Sequence, residues 1–310
     1  MLKFGNNYRE VKTSLLFFIK MIRFILGLFF LHSFISLGQD SNSDSLNGTE
    51  SHYFNTTYGL LRSSYRDQPT SPLFYNGYGI HFAIGSTDES DIRVANFKSS
   101  VNLSMNSAKL PTTNSLSTNY SSIYLNIPFY YDHLRKIHRW NYKEYNSLIG
   151  GAFLTTINSR LNSALFNASA GFDIESSFMF SSKIEKDISR KKTKKVKLWL
   201  IKKELQPKKR TIGFQFNTGI LNFNYRPNYT NLSESEIDGS NTNWVKFALD
   251  GYKLSWNGWN LNSQIDLTFH KKNGNRIKWA YEWSASHVPG RYEPLDFSFH
   301  QIHLTLMFKR

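Results

Sequence analysis

The amino-acid sequence predicts an all-β fold, a closed antiparallel β-barrel that spans a membrane. Apolar and polar residues alternate with period two along most of the chain, which is typical of β-strands with two different faces. Several stretches alternate over about ten residues or more, the length that a tilted strand needs to cross a bilayer. In lipid an open sheet would leave edge N–H and C=O groups unpaired, so such strands must close into a barrel.

The N-terminal part of the chain has the features of an export signal. Residues 21–23 supply a short positive start, and residues 24–37 form an apolar run that is too short to span a bilayer. Ser36 and Gly38 place small residues where a signal peptidase cleaves. We therefore expect a cleaved signal peptide with Met21 as the translation start. An N-terminal membrane anchor is the alternative interpretation.

The chain divides into three predicted segments. Residues 1–38 are the upstream extension and signal peptide, residues 39–51 are a polar N-terminal segment, and residues 52–310 are the outer-membrane barrel with a basic insert at residues 183–211. Eleven stretches of the barrel segment are predicted strands, at residues 52–63, 74–85, 97–106, 119–131, 146–157, 166–180, 211–225, 243–256, 259–270, 277–285 and 301–310. Such a barrel normally has an even number of strands. Counting residues 196–205 as a strand makes twelve, which we favour, and merging two stretches makes ten.

The polar rows of these strands carry charged residues that would face the lumen. Opposite charges in a narrow interior are expected to pair, because a lone buried charge is costly. The predicted lumen charge network consists of Lys98, Asp173, Glu175, Asp266, Lys278 and Glu282. We favour a plug that stiffens the wall, since barrels of this size are usually filled by side chains. A selectivity constriction is the functional alternative.

Aromatic residues near strand ends fit the girdles that lie at both membrane interfaces. They are Tyr130, Tyr131, Trp256, Trp259 and Trp283. The last stretch, residues 301–310, alternates regularly and is expected to pair with the first strand and close the barrel. Its apolar residues Leu304, Leu306 and Phe308 are similar to the terminal signal that barrel insertion machinery reads.

The net charge of +15 is concentrated in one segment. Residues 183–211 contribute +10 and residues 1–38 contribute +4, which leaves about +1 for the rest of the chain. The predicted basic patch comprises Arg190, Lys191, Lys192, Lys194, Lys195, Lys197, Lys208, Lys209 and Arg210. On the outside of the cell it would bind lipopolysaccharide phosphates, and on the periplasmic side an acidic partner. A solvated hairpin is the structural alternative, and no nucleic-acid partner is expected outside the cytoplasm.

Several kinds of chemistry lack support in the sequence. The chain has no cysteine, which excludes disulfides and thiol chemistry, and we find no metal-protease helix, phosphate loop or nucleophile elbow. We expect no enzymatic activity, no catalytic residue, no metal and no cofactor. A hydrolase at the outer rim is the alternative, with Asp132 and His133, or His287 near Glu293, as acid–base candidates.

Residues 121–134, "SSIYLNIPFYYDHL", resemble the Tyr-Leu-x-Ile-Pro strand signature of PorT-like outer-membrane barrels. The matching residues are Tyr124, Leu125, Ile127 and Pro128, and residues 147–156, "SLIGGAFLTT", look like the glycine-rich strand that follows in that family. The resemblance implies an outer-membrane barrel, and some members serve in protein secretion.

These observations together predict an integral protein of the outer membrane. We expect a structural or secretion-associated barrel, or a small-solute channel of unassigned substrate. Its partners would be outer-membrane lipid and lipopolysaccharide, the barrel insertion machinery and periplasmic secretion proteins. A soluble secreted β-sandwich that binds carbohydrate through surface aromatics is a further alternative.

Overall fold

The structure, a computed structural model, describes residues 50–68, 71–109, 119–137, 145–162, 170–198, 201–226, 252–289 and 294–310. The predicted signal peptide and polar N-terminal segment lie outside the described residues, except for the last two positions of that segment. Among the described residues, no helix is long and apolar enough to cross a membrane.

The described chain is built from strands. They are β1 (Ser51–Asp67), β2 (Tyr75–Glu89), β3 (Arg93–Lys109), β4 (Asn119–Lys136), β5 (Tyr145–Leu161), β6 (Ala170–Asp187), β7 (Lys194–Leu198), β8 (Ile201–Leu205), β9 (Arg210–Tyr225), β10 (Lys253–Leu254), β11 (Trp259–His270), β12 (Arg276–Val288) and β13 (Leu295–Lys309).

Ten of these strands form a closed antiparallel wall. The order is β9-β11-β12-β13-β1-β2-β3-β4-β5-β6, and β6 pairs with β9 to complete the circle. The last strand pairs with the first from Tyr53↔Lys309 to Asp67↔Leu295, as expected. Closure gives every wall strand two neighbours, so no strand edge is left open to lipid.

The strand count is ten, the alternative to the twelve that we favoured. Residues 196–205 contain strands β7 and β8, which pair only with each other in a separate two-stranded sheet. Within the predicted strand 243–256, the described part contributes only β10, a two-residue strand that pairs with the end of β9. The other ten predicted strands all correspond to strands of the wall.

The two faces of the wall follow the predicted alternation. On β3, Ser100, Asn102, Ser104 and Asn106 point into the lumen and are almost fully buried. The exterior carries apolar side chains that are 60% to 75% exposed, including Leu60, Tyr78, Ile80, Met105 and Ile302. A soluble protein rarely exposes so much apolar surface, whereas a bilayer requires it. The soluble β-sandwich alternative is therefore wrong.

One predicted girdle residue faces the other way. Tyr130 donates a hydrogen bond to Asp132 inside the barrel, whereas Tyr131 is 46% exposed on the exterior. Successive side chains of a strand alternate between faces, so only one of these two neighbours can reach lipid.

The two ends of the barrel differ in their connections. At one end, residues 90–92 and 271–275 make short turns, the second with Gly274 at φ 84° as the Asn273-Gly274 pair predicts. The other two connections at this end are residues 137–144 and 188–209. At the opposite end each of the five connections has at least six residues, and the longest is residues 226–258. Outer-membrane barrels have short periplasmic turns and longer extracellular loops. We therefore call these the periplasmic end and the extracellular end.

Candidate functional site

The lumen near the extracellular end is closed by an ion cluster that spans the barrel. Arg160 on β5 donates from Nε to Asp67 Oδ2 on β1 at 3.0 Å and from Nη1 to Asp173 Oδ1 on β6 at 2.8 Å. Arg226, just after β9, makes a further ion pair with Asp67. The carboxylates and guanidinium groups are at most 5% exposed. Because β1 lies across the barrel from β5 and from the end of β9, the bonds of Arg160 and Arg226 to Asp67 cross the lumen.

Aromatic rings fill the lumen beside this cluster. Tyr65 stacks on Tyr75 with ring centroids 5.0 Å apart and lies 5.0 Å from Tyr124, which in turn stacks on Phe299 at 5.6 Å. The tyrosine hydroxyl groups are satisfied: Tyr124 donates to Asn158 Oδ1 at 2.9 Å and Tyr65 to Ser122 Oγ at 2.5 Å. The same cluster contains Leu61, Val288, Leu295 and Phe297. We call the ion cluster and these rings the extracellular plug.

A polar chamber of about 130 Å³ lies on the periplasmic side of the plug. Lys98 Nζ of β3 and Glu282 Oε2 of β12 form an ion pair across it at 2.9 Å. Nearer the periplasmic end, Gln215 Nε2 of β9 donates to Asp132 Oδ2 of β4 at 2.9 Å. The chamber is therefore bridged at two further positions, and its free volume suits a few water molecules or a small polar solute.

Two histidines in the chamber wall face each other across a glycine, which has no side chain to separate their rings. Gly59 on β1 pairs with His81 on one side and with His303 on the other, and the two ring centroids are 5.4 Å apart. A Cβ at position 59 would lie 2.7 Å from His303 Cβ, so a side chain would displace that ring. His81 Nδ1 lies 2.6 Å from Asn102 Oδ1, and the imidazole donates because that oxygen only accepts.

The six residues of the predicted lumen charge network all point into the barrel, but they divide among different partners. Lys98 pairs with Glu282, and Asp173 belongs to the extracellular plug. Glu175 accepts hydrogen bonds from Ser286 Oγ at 2.7 Å and from Asn260 Nδ2 at 3.4 Å. The remaining two are Asp266, which accepts from Thr268 Oγ1 at 3.2 Å, and Lys278, which lines the chamber.

The structure adds lumen residues that the sequence analysis did not identify. Asp67, Arg160 and Arg226 hold the ion cluster, while Phe297 and Phe299 precede residue 301, where the last predicted strand begins. The period of two along a strand could have identified the two phenylalanines, because counting back by two from the inward residues of β13 reaches both of them. Above the membrane, however, the outward neighbours turn polar, so the alternation that marks a lipid-facing strand disappears.

The predicted basic patch extends from the periplasmic end of the wall. Its stem is closed by the backbone bridge between Arg190 and Lys208, and Arg190 Nη1 donates to the Gln206 carbonyl at 3.1 Å. Lys191, Lys192, Lys208 and Lys209 are exposed, and Arg210 begins β9 half-buried. Lys194, Lys195 and Lys197 lie on β7, where only the backbone is described. We call residues 188–209 the basic hairpin.

The acid–base candidates of the hydrolase alternative are not assembled as that alternative requires. Asp132 points into the lumen, whereas His133, its neighbour on β4, belongs to the outward row. His287 Nδ1 lies 2.6 Å from Asp296 Oδ1, and Glu293 lies outside the described residues.

The residues of the predicted terminal signal face outward on β13, where Phe308 is 44% exposed. Leu304 and Leu306 share this row and are partly exposed. This orientation leaves the apolar side chains of the closing strand on the lipid side of the barrel, while their role in insertion stays a prediction.

No protein-family model and no curated protein matches the chain. Among solved structures, it is similar to the outer membrane protease OmpT from Escherichia coli, with 6% identity, 86% of this chain and 99% of that chain covered, and a TM-score of 0.40. It is also similar to the COG4313 outer membrane channel from Pseudomonas putida F1, with 8% identity, 87% and 99% covered, and a TM-score of 0.30. A third is the translocator domain of the autotransporter NalP from Neisseria meningitidis, with 9% identity, 89% and 92% covered, and a TM-score of 0.25.

The similarity to a protease corrects the expectation that the chain is not an enzyme, because a barrel of this class can carry enzymatic activity. At TM-scores below 0.5, these likenesses carry no argument about activity or substrate. The conclusion that the wall itself supports is architectural. With ten strands closed into a circle and apolar side chains exposed around it, the protein is an integral outer-membrane β-barrel protein.

Proposed function

We propose that the protein is a closed barrel with a structural or secretion-associated role, similar to PorT-like barrels, and that it does not act as an open pore. One observation carries the proposal: Arg160 joins Asp67 and Asp173 across the lumen, beside the packed rings of Tyr65 and Tyr124. A pore that passes solutes freely needs a continuous wet path. The extracellular plug instead resembles a packed core in its burial and in the hydrogen-bonded hydroxyl groups of Tyr65 and Tyr124.

The basic hairpin supports the secretion-associated part of the proposal. It is much longer than the two fully described turns at the periplasmic end, residues 90–92 and 271–275. Lipopolysaccharide belongs to the opposite, outer leaflet. The position of the hairpin at the periplasmic end therefore favours an acidic periplasmic partner over lipopolysaccharide phosphates. We propose that its exposed lysines dock an acidic periplasmic protein, with Lys191, Lys192 and Lys209 among the contacts.

A second candidate function, a gated small-solute channel, is favoured by the polar chamber. Its lining is rich in Asn, Gln, Ser and Thr together with the Lys98–Glu282 pair, which suits a polar solute. For such a channel the extracellular plug would have to move.

Planar-bilayer conductance distinguishes the two functions. We expect the wild-type protein to show no current steps above the bare bilayer. The double variant Tyr65→Ala, Tyr124→Ala, which removes two rings of the plug, is expected to conduct. The matched control is Tyr58→Ala, Tyr78→Ala, since these tyrosines are 53% and 74% exposed on the exterior.

Each variant is first checked for heat-modifiable migration on a detergent gel, which reports a folded barrel. Regular current steps from the wild-type protein would overturn the closed-barrel proposal and support the channel. Silence of the folded plug variant would show that the plug rings do not close the lumen.

A further inference from the structure

We propose that the polar chamber binds a small neutral molecule with several hydroxyl groups, a polyol, through buried nitrogen and oxygen atoms of its wall. No other described residue makes a hydrogen bond to His81 Nε2, His303 Nδ1 or Gln301 Oε1. These three side chains line the chamber and are at most 5% exposed. Binding does not require a solute to pass through the barrel, so the site is independent of the closed-barrel proposal.

The wall around His81 has almost no side chains of its own. On the inward face of β2, Gly79 and Ala83 lie two positions before and after His81. Gly59 of β1 lies beside His81 in the register. Glycine inside a strand often marks a place where a ligand or another backbone approaches closely. The rings of His81 and His303 therefore stand out from a nearly bare surface beside the free volume of the chamber.

The hydrogen bond of His81 makes its other ring nitrogen an acceptor. Nδ1 donates to Asn102 Oδ1 at 2.6 Å, and a neutral imidazole carries only one N–H group. Nε2 therefore presents a lone pair, and a buried acceptor without a donor is costly. A ligand that donates an O–H group to Nε2 would satisfy this atom.

A chain of amide side chains makes Gln301 a second acceptor. Gln301 Nε2 donates to Asn102 Oδ1 at 3.5 Å, and Asn102 Nδ2 donates to Asn126 Oδ1 at 2.7 Å. Asn126 Nδ2 donates in turn to Asn158 Oδ1 at 2.7 Å. The amides thus all donate in the same direction, from β13 toward β5. The oxygen at the head of the chain, Gln301 Oε1, is left to accept a hydrogen bond from the chamber.

Two further atoms of the chamber wall favour hydroxyl groups over groups that only donate. Ser100 Oγ has no hydrogen-bond partner among the described residues and belongs to a side chain that is 1% exposed. A serine hydroxyl can donate or accept, and His303 Nδ1 takes either role according to its tautomer. Because a ligand hydroxyl also does both, a polyol can satisfy these two atoms whichever role they take.

The charges of the chamber wall favour a neutral ligand. The lining contains equal numbers of lysines and carboxylates within the described part of the chain, so their formal charges cancel. They are Lys98, Lys183, Lys278, Asp132, Glu175 and Glu282. A metal ion fits less well, because lysines face the same space and the described residues contain no group of three His, Asp or Glu that could hold one.

The chamber also sets the size of the ligand and its route of entry. A volume of about 130 Å³ holds several water-sized groups, which is the size of a short-chain polyol. The extracellular plug closes the opposite side, so the ligand would enter from the periplasm. This route passes the hydrogen bond between Gln215 and Asp132, which lies nearer the periplasmic end.

The test measures the binding of three small probes by saturation-transfer difference NMR, which detects weak ligands. The full barrel is held in micelles of a detergent without hydroxyl groups. Erythritol, butanediol and dimethoxyethane share the same number of carbon atoms but carry four, two and no hydroxyl groups. We expect erythritol to bind at least about tenfold more tightly than dimethoxyethane, with butanediol between them, because dimethoxyethane cannot donate to the buried acceptors.

Two variants each remove one unpartnered atom. Gln301→Met keeps the length of the side chain, and His303→Phe keeps a ring beside His81. Each variant is expected to weaken erythritol binding about tenfold. The matched control is Thr268→Val, which changes a buried lumen residue outside the lining of the chamber and should bind erythritol like the wild-type protein.

Each variant is first checked for heat-modifiable migration, and the probe series on the wild-type protein decides the proposal even if a variant does not fold. Equal binding of the three probes, or no binding of erythritol, would overturn the proposal and assign the free acceptors to water. Folded Gln301→Met and His303→Phe variants that bind erythritol as tightly as the wild-type protein would overturn it as well. Current steps in the bilayer experiment would reject the closed barrel but leave this site intact.

Discussion

At the scale of single residues, Arg160 connects three strands of the wall inside the lumen. Its guanidinium contacts carboxylates from two other strands, Asp67 and Asp173, with each group at most 5% exposed. Removing the cation would break the ion pair of the buried Asp173, while Asp67 would keep its ion pair with Arg226. Breaking a buried ion pair from one side typically costs about 3–5 kcal/mol.

The first prediction follows from this contact. Arg160→Met should lower the free energy of unfolding by about 3–5 kcal/mol, because the buried carboxylate of Asp173 loses its ion pair and Asp67 loses one of its two arginine partners. The loss is measured by urea unfolding in detergent or lipid, followed by tryptophan fluorescence. The control is Arg62→Met on the same β1 that carries Asp67, since Arg62 is exposed on the exterior. Equal stability of the two variants would contradict the role given to Arg160.

At the scale of elements, glycines allow β2 to lie close to its neighbour. A Cβ on Gly79 would lie 2.0 Å from the Leu103 carbonyl oxygen of β3, a distance that real side chains do not adopt. On β5, Gly151 is different: a Cβ there would meet only the Met179 carbonyl oxygen, at 3.8 Å. Glycines in close contact with the neighbouring strand, such as Gly79, let a narrow barrel curve sharply.

The second prediction compares these two glycines. Gly79→Ala should destabilise the barrel by about 1–3 kcal/mol, because the backbone of β2 or β3 must move to admit the methyl group. Gly151→Ala should change stability by no more than about 0.5 kcal/mol, because its surroundings are open. Both values come from urea unfolding under identical conditions. A Gly79→Ala variant as stable as Gly151→Ala would show that the close approach of β2 to β3 is not needed.

At the scale of the whole molecule, the barrel and the basic hairpin are separate structures. The wall closes without β7 and β8, which form their own two-stranded sheet. The hairpin therefore presents its charges at the periplasmic end of the barrel without contributing to the ladder of the wall. This arrangement suits the docking role that we propose for it.

The third prediction tests this separation in intact cells. A photo-crosslinking amino acid at Thr193, an exposed position of the hairpin, should form adducts with a periplasmic protein. Neutralising Lys191, Lys192 and Lys209 with glutamine should remove the adducts and leave heat-modifiable migration unchanged. The same crosslinker at Asn273, in the turn between β11 and β12, controls for random collision. Adducts that survive neutralisation would contradict electrostatic docking.

Local alternation was enough to predict the class of fold. Period two follows from the geometry of a single strand, so stretches such as residues 97–106 and 277–285 revealed which side chains meet lipid and which turn inward. It failed where strands leave the bilayer: next to Phe297 and Phe299, the outward residues Asp296 and Ser298 are polar and the inward ones apolar. The last predicted strand therefore begins at residue 301, whereas β13 begins at Leu295.

Non-local properties came only from the tertiary structure. The strand count of ten, the end of the barrel from which the basic hairpin extends and the contact of Arg160 with Asp67, 93 positions away in the chain, all depend on which strands become neighbours when the barrel closes. Alternation along one strand contains no information on the residue across the lumen, because that pairing is set by the number, tilt and stagger of all the strands together.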